Sequence, residues 1–484
     1  MAIVEQSTPG AQQPQILDDT AVEHRWQIGT LTYDKAGLIA LFWWLLLGDF
    51  ALSMRDRSIG QVVQLLLKRY HASDTLVMLL MTVLPTVIGM FLGPIVSFRS
   101  DRYRSRWGRR IPFLLIPTPV AALSMMALAA CPQLGGALNQ ALGTRSPGLD
   151  ACVLCVFTVF WTAFEISAIV ALAVLGGLIA DVVPHQFLGR FFGLFRAVSL
   201  GAGMIFNFWI IGTADSHAGA IFVGMSIIFG VGFTVMCLRV KEGTYPPPED
   251  IAEDHRAGGI VNAIRVYFSE CFALPYYRWF FVATMLAALV FNPFNWFSIY
   301  YTTQIGMSLK TMGRLATLSY GISLGLAYPL GSLVDRFHAL RVALAALALA
   351  TASQMYGAVF VHTSLTFGIA LVAHTVLSGT YFTASASLGQ ALLPRLKFGQ
   401  YSSAGGLVLS VGTIVASVLV GQMLDRSGHI YRLTFVAGSL FGIAALASML
   451  VVYSKFMALG GPQNYLAPDV LPDARPARSP ATEA

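Results

Sequence analysis

Between two apolar runs the chain reads Ser97-Phe98-Arg99-Ser100-Asp101-Arg102-Tyr103-Arg104-Ser105-Arg106-Trp107-Gly108-Arg109-Arg110. Six arginines stand here against a single acid, Asp101. The flanking runs, about 75–98 and 112–131, are long and apolar enough to cross a bilayer as helices. Basic residues in a short loop resist translocation, so such a loop stays on the cytoplasmic side. The stretch therefore predicts both a membrane protein and its orientation. A related signature, Gly331-Ser332-Leu333-Val334-Asp335-Arg336, follows another apolar run far downstream. Recurrence of the Asp-Arg pair divides the chain into two related halves. Parallel repeats of this kind place a solute site between them.

Working outward, apolar runs fall at about 36–67, 75–98, 112–131, 151–180, 187–212 and 218–238, then 278–303, 312–334, 339–361, 365–393, 402–424 and 431–456. Each is near or above the ~20 residues a spanning helix needs. Twelve spans are expected, six in each half. The predicted organisation is a cytoplasmic tail (1–34), a six-helix bundle (35–238), a cytoplasmic connector (239–277), a second six-helix bundle (278–456) and a disordered cytoplasmic tail (457–484). Pro246-Pro247-Pro248 cannot continue a helix, which makes the connector flexible. Within it, Ile260, Ile264, Tyr267, Phe268 and Cys271 have the spacing of a helix lying along the membrane surface. An even number of spans puts both termini on the side of the arginine loop. The N-terminus lacks a basic-then-apolar leader, so the first run is read as a retained helix.

Composition supports lipid as the solvent. Of 484 residues 56% are hydrophobic and 11% charged, and mean hydropathy is +0.67, whereas soluble domains carry roughly 25% charged residues. The net charge of +7 resides in short loops, with no basic soluble domain to bind nucleic acid. Five cysteines form no disulfide framework, and Cys152 and Cys155 lack the further ligands zinc needs. No His/Asp/Ser constellation and no phosphate-cradling glycine loop is present. An enzyme and a self-contained ATP-driven pump are thereby disfavoured, and no metal or cofactor is expected. The absence of a leader and of disulfides suits a bacterial inner membrane, and a monomer is expected.

The run from Gly93-Pro94 through Ser100-Asp101-Arg102 and Gly108-Arg109-Arg110-Ile111-Pro112-Phe113 resembles the glycoside–pentoside–hexuronide:cation symporters, and among their relatives the sucrose–proton symporters most. Glu165, Asp181, Pro184, Gln186 and Arg196 resemble residues of the sucrose symporters at nearly the same spacing, and Asn295-Trp296-Phe297 and Tyr300-Tyr301-Thr302 resemble the family's seventh span. The resemblance implies the major facilitator fold: an all-α membrane protein with twelve transmembrane helices in two pseudo-symmetric six-helix bundles. Ser97 stands where the family usually has glycine, and Glu165 where it has Asp. The second half matches loosely, which leaves substrate contacts there undetermined.

Charges inside the membrane are costly, about 2.5–3.5 kcal/mol on the insertion scale, and mark function by default. The first run contains Asp49, Arg55, Asp56 and Arg57. Asp49 and Asp56 share a helix face, and the arginines can neutralise them; alternatively the span ends near Met54 and the charges sit in an outer loop. Asp49-Phe50 resembles the Asp-Phe pair with which melibiose permeases contact sugar. Glu165, one turn after Trp161, suits a sugar: the carboxylate accepts hydroxyl hydrogen bonds while the indole stacks on a C–H face. A Glu165–Arg196 contact switched by a proton would couple transport; the alternative is a static salt bridge. Sodium-using melibiose permeases carry two acids in the second span where Gly89 and Gly93 stand here, which favours protons over sodium. Asn292 and Trp296, beside Asn295 and Pro293, are read as a sugar-facing pair or as interhelical hydrogen-bonding groups, and Gln354, His374 and Gln390 similarly. Asp101, Arg102, Gly108, Arg109, Arg110, Asp335 and Arg336 are expected to hold the cytoplasmic side closed in one state. The expected function is proton-coupled import of a disaccharide such as sucrose or maltose, or a related glycoside. A facilitator or exporter of another small polar solute is the alternative.

Overall fold

The computed structural model describes residues 26–245 and 257–468. Helices dominate; the strands among these residues are a small antiparallel hairpin, Trp26–Ile28 and Leu31–Tyr33. Local signals set several helix starts. The Asp34 carboxylate accepts from the Gly37 N–H at 2.8 Å to begin the first helix, and the hydroxyls of Ser73 and Ser308 cap two others. Thr363 and Thr366 form a reciprocal capping box at a fourth.

Among the described residues ten segments are long and apolar enough to cross a membrane: Lys35–Arg69, Asp74–Arg102, Ile111–Ala129, Leu149–Val182, His185–Arg239, Pro275–Gln304, Ala339–Phe360, Ser364–Leu392, Phe398–Arg426 and Leu433–Ala458. His185–Arg239 holds two long helices, Leu188–Ile205 and Ala214–Arg239, joined by a wide π turn and a tight 3-10 turn. Leu309–Phe337 is long enough but carries Lys310, Arg314, Ser319, Tyr320 and Ser323, and these polar residues keep it out of the ten. Counting both corrections gives twelve spans in chain order. Large apolar side chains such as Trp43, Phe91 and Leu365 are 66%, 66% and 75% exposed on the outer surface, where lipid rather than water suits them.

The two halves pack alike. In the first, span one lies on six and five, three on four and six, and two on four. In the second, seven lies on twelve and eleven, nine on ten and twelve, and eight on ten. Each contact has its counterpart six spans later, as a parallel repeat demands. The halves meet through spans two and eleven and through five and eight, again a symmetric pair. Pro94 in span two and Pro329 in span eight sit just ahead of the two Asp-Arg signatures. Span seven is interrupted between Leu289 and Asn292, next to Pro293.

The ends differ from a plain tail. Residues 26–33 form the hairpin, and the last described stretch packs on the second half, where Tyr465 donates to the Leu392 carbonyl at 2.7 Å and Tyr277 to that of Pro468 at 2.6 Å. The proline run at 246–250, the first 25 residues and residues 469–484 lie outside the described residues. The connector helix, Ala257–Ala273, docks on the start of span eleven. There Glu270 accepts from Gln400 and Lys397, contacts that hold its carboxyl below the usual range.

Candidate functional site

Span one runs unbroken from Lys35 to Arg69, so Asp49, Arg55, Asp56 and Arg57 lie within a helix and the outer-loop alternative falls. Asp49 is 2% exposed; its Oδ1 accepts from Ser53 at 3.3 Å, and Oδ2 has no partner. Arg55 is equally buried. It donates to Asp56 Oδ1 from Nε and Nη2 at 2.9 and 2.6 Å, and it stacks over Phe229 and Phe164 in its own half. Arg57 turns the other way. Its Nη1 donates across the molecule to the Tyr320 hydroxyl of span eight at 3.3 Å.

That crossing marks a cavity of about 420 Å³ between the halves. Span one contributes Arg57, Gln61 and Gln64, at helical spacing; span five contributes Arg196. From the second half come Asn295 and Ser298 of span seven, Tyr320 and Ser323 of span eight, and Thr375 and Ser378 of span ten. Three of its polar atoms, Gln61 Oε1, Gln64 Oε1 and Ser323 Oγ, are buried without a protein partner. Buried polar atoms are nearly always hydrogen-bonded. Water or a polar solute in the cavity would satisfy them.

Behind Asn295 runs a buried chain. Gln354 Nε2 donates to the Val290 carbonyl at 2.9 Å, at the break in span seven, and lies 3.0 Å from His374 Nδ1. His374 Nε2 lies 3.0 Å from Asn295 Oδ1. A carbonyl can only accept, so the Gln354 amide nitrogen faces it and also donates to Nδ1. The proton of His374 then sits on Nε2 and is donated to Asn295, which leaves the Asn295 amide nitrogen free to donate to the cavity.

Several expected contacts are redrawn. Trp161 is 3% exposed, donates its indole N–H to the Leu80 carbonyl at 2.8 Å and stacks between Phe157 and Phe164. It packs the first half and is closed to a sugar. Glu165 is half-buried, and the charges that reach it are Arg55 and Asp56, whereas Arg196 faces Arg57 and Tyr320. No ion pair or hydrogen bond joins Glu165 to Arg196 among the described residues, so the expected switch pair is absent in this state. Asn292 and Trp296 do not line the cavity; the wet face of span seven is Asn295 and Ser298. Sequence reading missed Gln61, Gln64, Tyr320 and Ser323. The spacing Arg57, Gln61, Gln64 on an apolar helix was the available signal.

The arginine loop folds onto its own half. Asp181, at the end of span four, accepts from Arg109 at 2.8–3.2 Å and from Arg110 Nε at 2.6 Å, and Arg110 Nη2 reaches Asp101 at 2.9 Å. Glu242 accepts the backbone N–H groups of Arg109, Arg110 and Ile111 at 3.0, 2.8 and 2.7 Å, capping span three. Gly108 has φ +105°, and a Cβ there would meet Glu242 Cδ at 2.6 Å, so only glycine fits. Burial opposes the charge on Arg109, but the Asp181 contact outweighs it and raises the pKa. Burial, then the charges of Asp181 and Glu242, push the neighbouring Tyr245 phenol up to about 12. Arg102 lies over Phe98, and Arg336, beside Asp335, over Phe337. The expected gating residues therefore make no bridge between the halves among the described residues.

The bridge stands at the opposite face. Asp425 of span eleven accepts from the Asp74 and Thr75 backbone N–H groups at 2.8 and 3.0 Å and from the Thr75 hydroxyl at 2.5 Å. Asp74 in turn meets His429 at 2.7 Å and the Tyr431 hydroxyl at 3.1 Å, and Tyr300 donates to the Gln64 carbonyl at 2.8 Å. Lys68 also contacts Thr303. Asp74, Asp425 and His429 are close enough to share a metal ion, but each is engaged in this latch. Among the described residues, hydrogen bonds between the halves lie at the cavity or on the latch side, and none joins the halves at the arginine loop. The cavity is shut at the latch and opens toward the arginine loop.

The Major Facilitator Superfamily profile matches residues 38–416. A sequence search of curated proteins found no match. Among solved structures, a D-xylose–proton symporter shares 15% identity over 85% of this chain and 96% of its own, with a TM-score of 0.57. A bacterial homologue of the iron transporter ferroportin, inward-facing, shares 14% over 86% and 99%, with a TM-score of 0.60. The nucleoside transporter NupG shares 10% over 86% and 98%, with a TM-score of 0.56. At these identities the likeness is one of fold.

Proposed function

As this chain belongs to the major facilitator superfamily, a family of membrane transporters, we propose that it couples a sugar-sized solute, a disaccharide such as sucrose or maltose or a related glycoside, to protons by alternating access. The observation that carries this is the polar cavity between the halves, latched at one face and open at the other. Rocking of one half on the other around a central site is the motion this repeat architecture supports. The positive-inside rule makes the arginine face cytoplasmic, so the state is inward-facing, both termini lie inside, and a bacterial inner membrane suits the chain. A solute of mixed donors and acceptors matches a lining that offers both.

Coupling runs through Glu165. Its carboxylate competes with Asp56 for Arg55, and protonating it leaves Arg55 to Asp56 alone. That exchange occurs two residues from Arg57, which holds Tyr320 in the other half. A proton and a solute together would then favour the rocking step, each binding more tightly in the other's presence. Gly89 and Gly93 offer no side-chain oxygens to sodium, which supports the proton.

Uptake of radiolabelled sugars into proteoliposomes under an imposed pH gradient tests the reading. Wild-type vesicles should accumulate sugar above equilibrium. Glu165→Gln should equilibrate sugar without accumulating it. Undiminished accumulation in that variant removes Glu165 from coupling, and mere equilibration in the wild type makes the protein a facilitator.

A further inference from the structure

We infer that the transported solute carries an oxyanion, a carboxylate or a phosphate, gripped between Arg57 and Arg196. The inference rests on the cavity being the solute site and narrows the proposed glycosides to those that carry an acid group, which excludes neutral sucrose and maltose. Both guanidinium groups line the same cavity of about 420 Å³, and no aspartate or glutamate lines it with them. Arg196 has no hydrogen bond and no ion pair among the described residues, and Arg57 has only the neutral Tyr320, whose hydroxyl it meets at 3.3 Å and over whose ring it lies. Of the acids of span one, Asp56 holds Arg55 through Oδ1 with its side chain 46% exposed, Asp49 is buried beside Ser53, and neither lines the cavity. Glu165 answers to Arg55 and Asp56.

Two cations facing each other in a membrane protein repel, and buried charge is ordinarily paired. Here the partner is missing from the protein, so the solute supplies it. Guanidinium presents a planar fork that fits two oxygens of a carboxylate or phosphate, and such charge-assisted bonds are about twice as strong as neutral ones. A neutral sugar offers only hydroxyls and leaves both charges unbalanced. The rest of the lining suits the remainder of a hydroxylated acid: Gln61 and Gln64 present free acceptors, and Asn295 presents a donor. Drawing Arg57 onto an anion also competes with its bond to Tyr320, one of the ties between halves.

Three probes sharing one ring separate the possibilities when binding to the purified full-length protein is measured: glucose, glucuronate and glucose 6-phosphate. One charged probe should bind at least about tenfold tighter than glucose, the scale of one charge-assisted hydrogen bond; which one identifies the group. In Arg57→Gln and Arg196→Gln that preference should fall to about one, while Arg196→Lys, which keeps charge without the fork, should retain part of it. Monodisperse elution of each variant reports that it folds. Glucose binding as tightly as both charged probes, or a preference that survives both glutamine variants, overturns the inference and leaves sugar transport standing. Binding of none of the three removes the cavity as the sugar site, and the inference goes with it.

Discussion

Arg55 and Arg57 stand two positions apart on one helix and face opposite duties. One is 1% exposed and tied to Asp56 within its own half; the other borders the cavity and reaches across it to Tyr320. A 3.6-residue period separates i and i+2 by about 200°, so their opposition is geometric. The buried chain Gln354–His374–Asn295 is the other decisive residue-scale feature. His374→Leu would leave the Asn295 amide free to flip and present its oxygen to the cavity. Loss of one such bond costs about 1 kcal/mol or more, so the half-saturating solute concentration in uptake assays should rise several-fold with little change in maximal rate. An unchanged value would show that His374 only fills space. Charges at these positions were legible in the sequence, but the directions of the side chains were not. The spacing of Trp161 and Glu165 put both on one face of a helix, and that much is correct for the backbone. Packing of the indole between two phenylalanines, with its N–H on Leu80, depends on spans that no local pattern reveals.

At the scale of elements, hydrophobic runs locate most of the helices, because each buries or exposes to lipid nearly its whole surface. Span eight, read as the run 312–334, is the least apolar of them, since part of its length faces the cavity and its partner span with polar residues. Its repeat signature at Asp335-Arg336 marks the same span independently. The hairpin at residues 26–33 was hidden for a different reason: two three-residue strands are too short for alternation to stand out. The start of span three shows how a loop motif serves an element. Glu242→Ala would strip three backbone N–H groups of their acceptor and destabilise that helix by ~1–2 kcal/mol, the cost of losing a cap. Gly108→Ala adds a strained φ and a clash with the same carboxylate. Because both act on one contact, the double variant should lose less thermal stability in detergent than the sum of the singles. Full additivity would mean that Glu242 and Gly108 serve separate structures.

At the scale of the whole molecule, one face holds the halves together and the other lets them part, and this asymmetry defines the state. The latch around Asp74 and Asp425 consists of bonds that exist only while spans two and eleven touch. The contact is close: a Cβ on Gly421 would meet Thr75 Cα at 2.9 Å. Any ligand-independent weakening of the latch therefore raises the free energy of this state relative to its opposite, whose energy it leaves alone. Asp425→Ala removes the acceptor of three hydrogen bonds, at about 1 kcal/mol or more each. A shift of that size moves the balance of states by well over tenfold. Spin labels at Leu188 and Phe337, on the ends of spans five and eight nearest the arginine loop, should then come closer on average than in the wild type. Asp425→Asn, which keeps one accepting oxygen, should shift them less. If label distances in both variants match the wild type, the latch is a passenger, and the balance is set instead by the packing of spans five and eight behind Tyr320.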